Sequence, residues 1–91
     1  MDHRSILSAL ADPTRRDILD RLRQGPLPVG RIAASMTVTR PAVSQHLRVL
    51  LDAGIVTAHR EGTRRVYEIA PGGSRPLLHW LVELEPGHRK R

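Results

Sequence analysis

The 91-residue chain has no cysteine and no phenylalanine, and only one tryptophan and one tyrosine. Without cysteine there is no disulfide framework and no thiolate metal site. With Trp80 and Tyr67 as its only large rings, the core must be built from Leu, Ile, Val and Ala. No apolar run approaches the roughly 18 residues of a membrane span. The N-terminus, Met1-Asp2-His3-Arg4, carries neither the apolar stretch of a signal peptide nor a myristoylation motif. These absences point to a cytoplasmic protein of one domain, residues 1–91. A chain this short buries only about 60–65% of its unfolded surface, so a lone subunit is marginally stable. Disulfides and thiolate metal sites are excluded, which leaves a partner subunit as the leading remedy.

Lysine is nearly absent, and the charge that is present is arginine. Fifteen basic residues against nine acidic ones give +6, and Lys90 is the one basic residue that is not arginine. A strongly basic small domain has the electrostatic footprint of a nucleic-acid binder. The planar guanidinium fork suits both phosphates and guanine edges. No nucleophile, base and acid set is visible, and there is no glycine-rich phosphate loop. Ser44 and His46 are too close in sequence to read as a dyad. The residues therefore argue against an enzyme and imply no cofactor.

Periodicity sets the organisation. Residues 3–11 read as a helix with Ile6, Leu7 and Leu10 on one face. Asp12-Pro13 is a cap followed by a first-turn proline. The next helix turns Ile18, Leu19 and Leu22 inward, with Arg15, Arg16, Asp17, Asp20 and Arg23 mostly outward, and Gly25-Pro26 ends it. A third helix follows Pro28 with Val29, Ile32, Ala33 and Met36 as its stripe. After a short turn at 36–38, a fourth starts at the cap residue Thr39 and stops at Gly54. Residues 56–60 and 65–69 then alternate as a β-hairpin around Gly62. Residues 75–85 close the chain as a last helix.

The expected fold is α+β and mainly helical. It is a winged helix-turn-helix with four helices, a β-hairpin wing and a C-terminal helix. The helix-turn-helix occupies about 29–53 and the wing about 56–70, with dimerisation helices at about 3–11 and 75–85.

On the fourth helix, Val43, Leu47, Leu50 and Leu51 face the core, and Arg40, Pro41, Ser44, Gln45 and Arg48 lie opposite. The first residues of a helix in the major groove meet base edges. Arg40 suits guanine, Gln45 suits adenine, and Ser44 reaches a base or a phosphate. Pro41 and Ala42 offer apolar contact to a thymine methyl, and Arg48, a turn further back, suits a phosphate. Across residues 59–65, Arg60, Arg64 and Arg65 stand with His59 against one acid, Glu61, and a protruding turn of this kind suits a minor groove or the phosphates. Residues 31–65 hold six arginines and two acids, so +4 of the +6 falls in this half, with most of the rest in the tail Arg89-Lys90-Arg91. His46 lies between the two faces, where a side chain held at the joint with the third helix fits better than a base reader.

The last helix is apolar nearly all round, at 77, 78, 80, 81, 82 and 84. Such a helix must be covered on two sides, and one domain covers one. The other side should meet a second copy through Leu77, Trp80, Leu81 and Leu84, with Ile6 and Leu10 of the first helix.

Three stretches carry a family resemblance. Ala9-Leu10-Ala11-Asp12-Pro13-Thr14-Arg15-Arg16-Asp17-Ile18-Leu19 is the first. Arg40-Pro41-Ala42-Val43-Ser44-Gln45-His46-Leu47-Arg48-Val49-Leu50, followed by Ala53-Gly54-Ile55-Val56, is the second. The hairpin Arg60-Glu61-Gly62-Thr63-Arg64-Arg65-Val66-Tyr67 is the third. In order and at this spacing, over about residues 5–70, they resemble the ArsR-type (ArsR/SmtB) winged-helix repressors.

The resemblance implies a homodimeric transcriptional repressor on an inverted-repeat operator in double-stranded DNA, its fourth helix in the major groove and its first and last helices paired. It implies DNA contacts by Thr39, Arg40, Pro41, Ser44 and Gln45, and by Arg60, Arg64 and Arg65 of the wing. Many members sense metals through a Cys-x-Cys pair; Pro28 and Gly30 stand at those positions here and cannot ligate. Another family site is answered only by Leu77-x-His79 and His88. The chain thus resembles the metal-independent branch, with no metal site and an inducer that the sequence does not name. Two rival readings remain at this point: a metal-responsive repressor using His3, His79 and His88, or a winged-helix module that binds RNA or protein.

Overall fold

The computed structural model describes residues 2–87. His88 and the basic tail Arg89-Lys90-Arg91 lie outside the described residues. Three of the helices start where a side chain accepts from their free N–H groups. Helix α1 (His3–Leu10) is capped by Asp2, which accepts from Ser5 N at 3.0 Å. Helix α2 (Pro13–Leu22) is capped by Asp12, which accepts from Thr14 N at 2.7 Å and Arg15 N at 3.2 Å, with Pro13 in the first turn. Helix α4 (Arg40–Asp52) is capped by Thr39, whose hydroxyl accepts from Ala42 N at 3.2 Å.

At the other end of α4, Gly54 takes φ 77, and the N–H groups of Gly54 and Ile55 return to the carbonyls of Leu51 and Leu50, both at 3.0 Å. That left-handed stop swings Ile55 and Val56 into the core. Between α2 and α4 lies the short α3 (Val29–Ala34), and α5 (Arg75–Leu84) ends the described chain.

The sheet has one strand more than the sequence shows. Strands β2 (Val56–Glu61) and β3 (Arg64–Ile69) form the expected hairpin. A two-residue strand β1 (Leu27–Pro28) lies on the other edge of β3, pairing Leu27 with Tyr67 and Pro28 with Val66 in the antiparallel order β1-β3-β2. Two residues are too few to display alternation, and a proline is admissible there because β1 is an edge. The α+β winged helix-turn-helix therefore stands, with a three-stranded sheet.

The core is aliphatic. Ile6, Ile18, Ile32, Val43, Leu47 and Leu50 are fully enclosed, and α1, α2, α3 and β2 all pack on α4. Ile6 corrects the expected dimer face. It is 0% exposed inside its own subunit, so it is not available to a second copy. In α1 the inward pair is Ile6 and Ala9, and Leu7, at 43% exposure, takes the outer position.

Asp12 supplies a pH signature. Desolvation pushes its carboxyl up, but the N–H donors of Arg15 and Thr14, with His46 and Arg15 nearby, outweigh this and hold it below its ordinary value. A depressed folded-state value stabilises above the ordinary carboxylate range and is lost as pH falls through the lowered one. Asp12→Asn keeps the cap without the charge. In thermal melts from about pH 6 to 3 it should start below the parent at the upper end, fall less steeply, and meet it at the acid end.

Candidate nucleic-acid interface

The inner face of α4 is fixed by Val43, Leu47 and Leu50, all 0% exposed. By the 3.6-residue period this turns Arg40, Pro41, Ser44, Gln45 and Arg48 to solvent, and all five are exposed. Thr39 is exposed too, its hydroxyl oxygen engaged by Ala42 N as the cap. Arg48 lies 3.7 Å from Asp52 with both side chains more than 70% exposed, a pairing worth little in water. The start of the helix-turn-helix is braced from behind. Arg21 of α2 donates to the hydroxyl and the carbonyl of Ser35, at 2.7 and 2.6 Å, just beyond the last turn of α3.

The wing is a tight hairpin. Glu61 pairs with Arg64 across a two-residue loop, Gly62-Thr63. Gly62 takes φ 65 while Thr63 stays at negative φ, the combination that matches the right-handed twist of the flanking strands. Arg60, Arg64 and Arg65 are all exposed, and Arg65 lies over the Tyr67 ring at 5.7 Å. The two acids of the wing meet His59 instead: Glu61 stands 3.1 Å from its Nε2 and Glu68 3.8 Å from its Nδ1.

The structure brings Arg40, Arg64 and Arg65 to one groove of about 420 Å³, together with Arg31. The Arg40 guanidinium lies over Gly30, its Nη1 3.6 Å from where a Cβ would sit. Arg60 sits on β2, opposite Arg65 and outside the groove lining. Ser44, Gln45 and Arg48 remain on the open face of α4. Sequence reasoning counted Arg31 as charge and gave it no site. The available signal was its place next to Ile32, the buried residue of α3, which turns Arg31 outward.

Two expectations need correction. Arg15, expected to point outward, folds back with 15% of its side chain exposed. Its Nε–H donates to Ala9 O at 2.6 Å and its Nη2 to Ser8 O at 3.1 Å, closing the free carbonyl end of α1. Arg16 does the same for Leu10 O at 2.7 Å and Ala11 O at 3.1 Å. His46 is half-buried as expected, but its partner is on α2 and not α3: Arg15 Nη1 stands 3.4 Å from Nδ1. Guanidinium has no acceptor, so that ring nitrogen accepts.

Among the described residues no group of three metal-ligating side chains forms, and no helix is long and apolar enough to cross a membrane. His3 lies flat on Trp80, ring centroids 4.9 Å apart and planes 9° apart.

Residues 12–58 match the family described as "Bacterial regulatory protein, arsR family". The chain is 57% identical over 65 residues to HTH-type transcriptional regulator Rv2034 of Mycobacterium tuberculosis, covering 71% of this chain and 61% of that protein. It thus spans about three fifths of that relative's length. It is 32% identical over 78 residues to the transcriptional repressor SdpR of Bacillus subtilis, covering 86% of this chain and 87% of SdpR. It also superposes, with TM-score 0.74 and 33% identity over 96% of this chain and 83% of the other, on the solution structure of Mb0332 from Mycobacterium bovis. That structure is of a homodimeric winged helix-turn-helix DNA-binding domain, a possible ArsR-family transcriptional regulator.

Removing the Arg15 fork should leave the end of α1 open. Arg15→Ala is expected to lose roughly 1–3 kcal/mol in denaturant unfolding. Hydrogen exchange should speed up at the last turn of α1 and around His46, while the wing amides stay at parent rates.

Proposed function

The chain belongs to the arsR family of bacterial regulatory proteins, a family of transcriptional regulators rather than enzymes, and from that premise we propose that it is a homodimeric repressor acting in the cytoplasm on an inverted-repeat operator in duplex DNA. The observation that carries the reading is the exposed, polar start of α4 standing beside a wing whose arginines have no carboxylate partner. Among the described residues, the ion pairs of α2 use Asp12, Asp17 and Asp20, on Arg15, Arg21 and Arg23. None of Arg31, Arg40, Arg60, Arg64 and Arg65 has a carboxylate within 4.0 Å among those residues. Arg15, Arg21 and Arg23 are thus paired with acids along α2, while the arginines on the face where α4 and the wing meet are left open.

In this reading Ser44 and Gln45 present hydrogen-bonding groups to base edges, Pro41 gives apolar contact, and Thr39, Arg40 and Arg48 flank them. Arg60, Arg64 and Arg65 hold the wing to the backbone. The paired partner is supported by α5. No residue of that helix is buried, and Leu78, Trp80, Leu81, Val82 and Leu84 are 37–62% exposed. With Leu7 they leave an apolar face that one subunit does not cover. We assign to the interface Leu10, Leu77, Trp80, Leu81 and Leu84, with Leu7 in place of Ile6. Two-fold pairing through this face sets two copies of α4 about 34 Å apart, one turn of DNA.

The test is selection of a preferred duplex from a random pool, followed by titration against an unrelated duplex. With about three phosphate contacts per subunit, affinity should fall roughly a thousand-fold between 50 and 200 mM salt. The preferred duplex should stay ahead throughout, and Gln45→Ala should cost about 1–3 kcal/mol on it and relax one base pair. Equal affinity for every sequence would instead favour a module for RNA or protein. Trp80→Ala should shift the sedimenting species towards half the parent mass; an unchanged mass would contradict this interface.

A further inference from the structure

We propose that Arg31, Arg40, Arg64 and Arg65 form a phosphate clasp: a seat for one DNA backbone phosphodiester in the groove between α3, the start of α4 and the wing turn. The inference rests on the DNA-binding reading above. It adds Arg31 to the interface and moves Arg40 from guanine to the backbone.

Four arginines line a groove of about 420 Å³ that, among the described residues, has no acidic residue in its wall. Arginine cannot shed its proton to relieve crowding, because it stays charged throughout the accessible pH range. The other device for relieving like charge, an internal carboxylate, is used on α2 and missing here. The groove thus holds uncompensated charge of one sign, a field that attracts an anion.

Phosphate fits that role, since guanidinium forks bind its oxygens in bidentate pairs. Gly30 keeps the floor open. It has no side chain at the point where the Arg40 guanidinium passes at 3.6 Å, and Thr63 of the wing turn closes the far side. Because Arg40 turns toward α3, it points into this groove, away from Ser44 and Gln45 further along α4. A free polyphosphate has the same chemistry as the DNA backbone, so the test separates the two.

The parent chain, Arg31→Ala, Arg40→Ala and Gly30→Glu are titrated with the preferred duplex, an unrelated duplex and, without DNA, inorganic pyrophosphate. Gly30→Glu adds a carboxylate beside Arg40 without removing any arginine. It stands in the first turn of α3, where an acid suits the helix dipole. Each variant should weaken both duplexes by one common factor of about tenfold, and lower the slope of log K against log salt by about one for each phosphate left unneutralised. Pyrophosphate should shift the Arg31 and Arg40 Nε–H resonances of the parent and leave Arg40 of Gly30→Glu unmoved.

Parent-like affinities and slopes in Arg31→Ala and Gly30→Glu, with the parent still binding DNA, overturn the clasp and leave the DNA reading intact. A loss confined to the preferred duplex in Arg40→Ala makes Arg40 a base reader and also overturns it. Pyrophosphate binding with no duplex bound overturns the DNA reading and keeps the clasp as a site for a free polyphosphate. If Gly30→Glu does not fold, as seen by circular dichroism, the exposed Arg31 carries the test.

Discussion

Burial of Val43, Leu47 and Leu50 on one side of α4 is the constraint from which the proposed interface follows. Those three side chains are wholly enclosed where α1, α2, α3 and β2 converge. Once they are fixed, the helical period leaves no freedom for Arg40, Ser44, Gln45 and Arg48, which must project from the opposite side. The same packing sets the wing. Gly54 stops α4 and returns the chain through Ile55 and Val56, so β2 starts from the core and its far end carries Arg60 beyond it, next to Arg64 and Arg65 of β3. An aliphatic core with only Tyr67 as a buried ring is enough for this, because α4 contributes a full stripe to it.

Charge is sorted as strictly as hydrophobicity. The acids of α2 cap its own helix or meet arginines one turn away, and Arg15 and Arg16 are spent on the carbonyl end of α1. Among the described residues most of the other arginines left without a carboxylate, Arg31, Arg40, Arg60, Arg64 and Arg65, lie along the edge formed by α3, the start of α4 and the wing, with Arg4 and Arg75 elsewhere. A net charge of +6 spread evenly would give only a diffuse attraction to polyanions. Concentrated at one edge and doubled by symmetry, it gives an oriented one. In the proposed complex, base-edge groups such as Gln45 are held in register by neighbours that do not themselves read sequence.

Much of this is legible in the residues. Asp12-Pro13, Thr39, Gly54 and Gly62 act locally, each through its own backbone and the next few residues, and their elements start, stop or turn where expected. What is not legible depends on tertiary distance. Ile6 and Leu7 are both apolar neighbours on a short helix, and only the position of α4 decides which one is enclosed. Arg15 looks like a surface arginine because nothing local shows that the end of α1 lies within its reach. Likewise β1 exists only through its partner β3, and the arginine groove only through the meeting of α3 with the wing. Helix α5 is apolar nearly all round in sequence, the mark of a helix to be covered on two sides, and in one subunit it has no buried residue at all.

The central claim is that two copies of this chain, joined through α5 and α1, read one duplex with paired α4 helices. Hydroxyl-radical footprinting of the preferred duplex, with the mass of the complex measured in the same solution, tests it most directly. The account predicts two chains per duplex and two protected patches on one face, about 10 base pairs apart centre to centre. A single patch under one chain at full affinity, or protection spread evenly along the duplex, would contradict it.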